Sequence, residues 1–177
     1  LRAALWACLA LLFAQIALGG WVSTNYAVLA CSTFPDCNGQ WWPAMDFTQA
    51  FEIWRPLGLL SDGSHISFAA LTAIHYVHRL AAYGVIAAVV AVALAMRRQP
   101  ALAGQGRWLL GLIGLQFLTG LSNVVLDWPL VAAVLHTGGA AALVTVMTWA
   151  LAATRTHSAP ALQDDTQAPH GARRVVA

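Results

Sequence analysis

Three ionisable side chains, His75, His78 and Arg79, stand within five residues inside the apolar run Ile66–Met96, in the segment Ile74-His75-Tyr76-Val77-His78-Arg79. A fourth, His136, lies in another apolar run, Val131–Ala153. Ionisable groups are costly in hydrocarbon, so they face a bundle interior and mark a site. Imidazoles bind metals and, in pairs, haem iron; they also act as hydrogen-bonding glue between helices. No carboxylate or cysteine lies near enough in sequence to complete a tetrahedral metal set with His75 and His78. The chemistry that fits is axial ligation of a flat cofactor, most simply a haem, by His78 and His136.

The elements that must position these side chains follow from composition. The chain has 177 residues, 59% of them hydrophobic and 9% charged, with no lysine; a soluble domain carries about 25% charged residues. This is an all-α integral membrane protein of about one domain. A helix needs about 20 apolar residues to cross the hydrocarbon core. Four runs qualify: Ala3–Val22, Ile66–Met96, Trp108–Leu126 and Val131–Ala153. The second is longer than needed, so it tilts or projects its first turns. The first could be a signal peptide with Arg2 as its charged region, but its apolar length is large and no small-residue cleavage site follows, so it reads as a span. The chain opens on Leu1 and the first run starts almost at once; the expectation is a fragment.

Arg2, Arg97, Arg98, Arg107 and Arg155 flank the spans on one side, and Arg55 lies among Asp36, Asp46, Glu52 and Asp62 on the other. The positive-inside rule puts both ends of the chain in the cytoplasm and the 43-residue segment Ser23–His65 outside. Trp21, Trp41, Trp42, Trp54 and Trp128 fall near the outer interface; Trp6, Trp108 and Trp149 fall near the inner one. That is an aromatic belt. In the oxidising outer compartment Cys31 and Cys37 are expected to pair, as a structural staple or as a redox couple. Cys8 reads as a small buried apolar side chain. Phe47–Leu60, with Phe51, Trp54, Leu57 and Leu59 around Glu52 and Arg55, suits a short amphipathic segment on the membrane or a cap over an outward-opening site. Residues 1–155 form the membrane domain, and 156–177 read as a disordered cytoplasmic tail.

His78 lies 19 residues before Arg97, and His136 lies 19 residues before Arg155. Both are therefore about 28 Å from the inner arginines, at matched depth on helices running the same way. In a four-helix bundle two such imidazoles can ligate one haem from opposite sides. His75 stands three residues from His78 on roughly the same face. Small residues follow each histidine, as a macrocycle requires: Ala81, Ala82 and Gly84 after His78, and Gly138 to Ala142 after His136. Such runs are also common packing surfaces in membranes. Arg79, Asn123, Gln116 and Arg55 are candidates to meet propionates, and Arg79 could instead bridge backbone carbonyls. Gln15-Ile-Ala-Leu-Gly19 is echoed by Gln116-Phe-Leu-Thr-Gly120. Each precedes a histidine-bearing span, which suggests two helical hairpins related by a pseudo-two-fold axis along the membrane normal.

These residues resemble the haem A synthase family, and specifically the C-terminal half of its bacterial members. The matching stretches are Leu18 to Cys31, Phe34-Pro-Asp-Cys37-Asn-Gly-Gln-Trp-Trp-Pro43, Ala73-Ile-His-Tyr-Val-His-Arg79, and Gly120 to Gly139 with its His136-Thr-Gly. The resemblance covers about residues 1–153. It implies one half of a pseudo-two-fold, eight-helix protein in the bacterial inner membrane that oxidises the C8 methyl of haem O to a formyl group for cytochrome oxidase biogenesis. It also implies a haem b in this half, ligated by His78 and His136, with Cys31 and Cys37 as the family's outer-loop pair.

One departure matters. The family's other half carries a catalytic glutamate three residues before its His-Arg pair; here that position is His75, and the second span holds no acidic residue. No catalytic residue is therefore assigned to this chain. Its cofactor-binding set is His78, His136, Arg79 and His75, and by itself it is expected to be inactive. Haem O in the N-terminal half, a haem O synthase, an unassigned electron donor and membrane lipid are the expected partners, with no nucleic acid. The rival readings are a b-type electron-transfer cytochrome and a non-haem assembly scaffold in which the histidines only pack.

Overall fold

A computed structural model describes residues 1–56 and 58–156. Among them the chain is helical, without a strand. The helices are α1 (Arg2–Thr24), a single turn α2 (Phe47–Ala50), α3 (Phe68–Arg97), α4 (Ala103–Val125) and α5 (Leu130–Thr156). The long four are apolar and long enough to cross a membrane, and the chain is a multi-pass membrane protein with four spans among the described residues. The expected run Ile66–Met96 becomes α3, started by Ser67, whose side chain accepts from the Ala70 N–H. The third span begins earlier than its apolar run: a 3₁₀ turn, Pro100–Leu102, leads into α4, because Gln105 and Gly106 are buried there. The expected tail lies outside the described residues except for its first residue, Thr156.

The four long helices form a ring in which α1 and α4 each pack against both α3 and α5. The histidine-bearing helices α3 and α5 face each other across the diagonal, with no direct backbone contact between them. A two-fold axis down the ring carries α1 onto α4 and α3 onto α5, as the repeat suggests. The helix ends marked by Arg2, Arg97, Arg107 and Arg155 gather at one end. Trp6, Trp108 and Trp149 are exposed there, while Trp41, Trp42, Trp54 and Trp128 are exposed at the other.

Two apolar layers close the bundle. At the arginine end, Leu5, Leu9 and Leu12 of α1, Val85, Val89 and Met96 of α3, Leu109 and Ile113 of α4, and Leu143 and Met147 of α5 pack together. Cys8 is in this layer, free and buried, as expected. Gly106 lets α4 approach α3: a Cβ there would stand 2.8 Å from the Ala93 carbonyl oxygen. A smaller cluster at the loop end joins Val22, Ala27, Ala30 and Ala50 to Ala70, Ala73 and Ile74.

The long loop folds over that end. Cys31 and Cys37 are bonded to each other and fully buried. The Asn38 side chain ties the small cycle, donating to the Ala30 carbonyl and accepting from the Ser32 N–H. Phe47–Leu60 is an amphipathic helix for only one turn; past Ala50 it is irregular, and Trp54 projects outward at 93% exposure. Leu57 lies outside the described residues. Trp21 donates to the Ala50 carbonyl, and Arg55 donates to Asn25 Oδ1 and the Leu59 carbonyl while lying over the Trp21 ring. This segment therefore caps the end of α1.

Candidate functional site

Between the two apolar layers the bundle changes character. Residues 13–21, 76–84, 114–123 and 133–142 of the four long helices bury no apolar side chain. That leaves about 15 Å of helix rise at matched depth in all four. Protein interiors are normally close-packed, so this layer is shaped by something other than apolar packing. What it holds instead is polar: Gln15, His78, Gln116, Thr119 and His136.

Each histidine is seated in the same way. His78 of α3 lies against Gly19 of α1, where a Cβ would come within 3.2 Å of the ring Cε1. His136 of α5 lies against Gly120 of α4, with the corresponding distance 3.1 Å. One turn below each glycine, a glutamine amide donates to the histidine's own backbone carbonyl: Gln15 to His78 at 3.0 Å and Gln116 to His136 at 2.7 Å. The repeat Gln-x-x-x-Gly is thus a histidine seat, made twice. Gly gives the ring room to lie against the neighbouring helix, and Gln fixes the backbone behind it.

The inward faces below the rings also match. His78 is followed three and four residues on by Ala81 and Ala82, and then by buried Val85 and Val89. His136 is followed by Gly139 and Ala140, and then by buried Leu143 and Met147. Helical spacing puts each set on one stripe, so small residues follow each imidazole and large ones come farther down; Gly139 packs against Gln116, where a Cβ would collide with Nε2.

The seats differ at Nδ1. His78 Nδ1 is 3.1 Å from Gln15 Nε2, whereas His136 Nδ1 is 3.0 Å from Thr119 Oγ1. His75 points elsewhere. It is buried at 5% exposure, and its Nδ1 accepts from the Cys31 N–H at 3.4 Å, beside the disulfide. It docks the loop on α3 and is kept apart from the imidazole pair. Arg79 donates to the carbonyls of Asp36 and Thr33 at 3.0 and 2.6 Å and lies over the Phe34 ring. It bridges backbone carbonyls, those of the loop rather than of a helix end. Tyr76 donates to the Trp41 carbonyl. Three side chains of this α3 segment therefore hold the loop above His78, and Phe34 reaches Phe117 of α4 edge-on.

Of the other polar candidates, Gln116 is committed to the His136 backbone and Arg55 to the end of α1. Asn123 Oδ1 and Gln15 Oε1 are buried without a hydrogen-bond partner among the described residues. No group of three metal-ligating side chains occurs among the described residues. Sequence reasoning missed Thr119, and it noted Gln15 only as part of a repeat. The signal was there: two polar side chains at the same register as a histidine on the next helix.

A family model described as cytochrome oxidase assembly protein (COX15-CtaA) matches residues 1–148. A haem A synthase of Shewanella oneidensis is 35% identical over 136 residues, 77% of this chain and 41% of that protein. A haem A synthase of Caulobacter vibrioides is 31% identical over 146 residues, 80% of this chain and 39% of that protein. The chain thus spans about two-fifths of the length of the curated relatives it matches. No solved structure matches it. With the match running from the first residue through all but the last turns of α5, the chain belongs to the cytochrome oxidase assembly protein family that has these haem A synthases among its relatives.

Proposed function

We propose that this chain is the cofactor-holding, C-terminal half of a haem A synthase, taking part in oxidation of the haem O C8 methyl to a formyl group. The observation that carries the reading is the duplicated histidine seat, one on each of the two diagonal helices, in a layer that buries no apolar side chain. His78 and His136 would hold a haem b, one imidazole from each diagonal helix. A haem with two imidazole ligands has no open position and supplies one-electron transfer rather than oxygen activation.

The residues of this chain do the rest. Gly19 and Gly120 admit the rings, Gln15 and Gln116 fix the backbone behind them, and Ala81, Ala82 and Ala140 keep side chains small below. Arg79 holds the loop over the site and keeps N–H groups beyond its two carbonyl bonds for an anionic edge. His75 supports the site by anchoring the loop rather than by ligation. With no acidic residue between Phe68 and Arg97, the proton-handling carboxylate and haem O belong to the other half, so this chain alone is inactive. A haem O synthase would deliver the substrate, and an electron donor would work through this half. The arginine end faces the cytoplasm of a bacterium, and the loop lies outside the plasma membrane.

The test is a reduced-minus-oxidised absorption spectrum of the detergent-purified chain, with His78→Ala and His136→Ala beside it. A low-spin b-type spectrum that is lost or becomes high-spin in both variants is expected. A colourless wild type from a haem-replete host, still colourless when the N-terminal half is co-expressed, overturns the reading in favour of packing histidines.

A further inference from the structure

The two seats are built alike but bond their rings differently, and the difference decides which nitrogen carries the proton. The Thr119 hydroxyl has one hydrogen. Oγ1 stands 2.8 Å from the Leu115 carbonyl and 3.3 Å from the Gln116 carbonyl, and both can only accept. The hydrogen is used there. Toward His136, 3.0 Å away, Oγ1 offers a lone pair, so Nδ1 carries the proton and Nε2 is bare. A histidine with Nδ1–H held by a neighbour and a bare Nε2 is in the ligating form.

Gln15 imposes the opposite. The His78 carbonyl only accepts, so the Gln15 amide must turn its nitrogen toward it. The same nitrogen lies 3.1 Å from His78 Nδ1. A nitrogen that donates to Nδ1 makes it an acceptor and puts the ring proton on Nε2. For Nε2 to become bare, the proton must move to Nδ1 and find an acceptor; the amide's own Oε1, buried without a partner, supplies it once the amide turns, at the cost of its bond to the His78 carbonyl. In the repeat register Leu18 stands where α4 has Thr119, so this side has no hydroxyl to do the task.

We propose that Thr119 is a positioning residue that holds His136 in the ligating tautomer, making His136 the anchoring imidazole of the pair and His78 the exchangeable one. This rests on the reading of the pair as haem ligands. His136 accepts iron without rearrangement, and His78 closes the second side after the Gln15 amide turns. Of the two, His78 is therefore the imidazole that would be released more readily.

The experiment has two parts. The first is nitrogen NMR of the haem-free, detergent-solubilised chain labelled with ¹⁵N-histidine, as wild type, Thr119→Val and Thr119→Ser. His136 is expected as Nδ1–H with bare Nε2 in wild type and Thr119→Ser, and as a tautomer mixture in Thr119→Val. The second is haemin titration of the same proteins and of His78→Ala and His136→Ala. Thr119→Val should bind about 10–100-fold more weakly, the usual cost of losing such a partner, and Thr119→Ser should restore affinity. His78→Ala should keep a five-coordinate, high-spin haem, whereas His136→Ala should lose haem. A protonated Nε2 on His136 in the wild type, wild-type affinity in Thr119→Val, or haem kept by His136→Ala and lost by His78→Ala overturns the proposal. The single-histidine comparison stands even where Thr119→Val fails to fold. A wild type with the expected tautomer that takes up no haemin overturns the haem reading, and the anchoring role with it, while the tautomer assignment stands.

Discussion

Gly120→Ala tests the histidine seat without touching a histidine. The added methyl would stand 3.1 Å from His136 Cε1, and carbon atoms settle about 3.5–4.0 Å apart. The ring must retreat by about 0.5 Å. It is tied by Nδ1 to Thr119 at 3.0 Å and, through its carbonyl, to Gln116 at 2.7 Å. Retreat stretches the Nδ1 bond to the outer limit of a hydrogen bond, forfeiting about 1 kcal/mol. Overpacking of this kind costs about 1–3 kcal/mol, and Ala in place of Gly in a helix returns about 1 kcal/mol. Gly138→Ala supplies the control, because a Cβ there meets nothing within 4 Å. Gly120→Ala should therefore be about 1–3 kcal/mol less stable than Gly138→Ala, read as the difference in unfolding midpoint on titration of micellar protein with SDS. Equal midpoints would show that the ring is not seated against α4, and the argument from the Gln-x-x-x-Gly repeat would fall.

Further predictions rest on other contacts. Gly106→Ala puts a Cβ 2.8 Å from the Ala93 carbonyl oxygen; backbone cannot yield as a side chain does, so α3 and α4 separate and stability falls by about 1–3 kcal/mol in the same titration. Arg79→Leu releases the Thr33 and Asp36 carbonyls, and limited proteolysis should cut within residues 32–42 faster than in wild type, with the Cys31–Cys37 bond intact. Asn25→Leu removes the 2% exposed side chain that donates to the Trp21 carbonyl and accepts from Arg55. It leaves the half-buried Arg55 guanidinium with one carbonyl partner fewer, costs about 1 kcal/mol, and should free the segment around Arg55 in hydrogen exchange.

The spans were legible in the sequence because the membrane imposes a length and a polarity that few residues can meet. Arg97 and Arg155, each 19 residues past a histidine, gave the depth match. The Gln15–Gly19 and Gln116–Gly120 echo disclosed the two-fold arrangement, and the Cys31–Cys37 pairing followed from compartment. The local partners were not legible. Thr119 is an ordinary membrane-helix threonine until α5 places His136 Nδ1 beside it. His75 reads as a site residue by its position, and only the folded loop shows that it serves the Cys31 N–H. Phe47–Leu60 carries an amphipathic pattern, yet its backbone follows Arg55 and Trp21 rather than its own periodicity. In each case long-range contact overrides a local pattern.

The pseudo-two-fold axis leaves an ambiguity that the loop removes. A flat ligand lying on that axis meets nearly the same walls after a half-turn, since Gly19 and Gly120, Gln15 and Gln116, and Ala81 and Gly139 exchange places. The two insertions would be close to degenerate. The connection between α1 and α3 is long and carries the disulfide-closed cycle, whereas α4 and α5 are joined by a short turn. The loop is held on the α3 side by His75, Tyr76 and Arg79. The loop thus breaks the near-symmetry of the two histidine seats: if a flat ligand bound between them as proposed, the two faces it could present would no longer be equivalent, because only one connection carries the long, disulfide-closed segment.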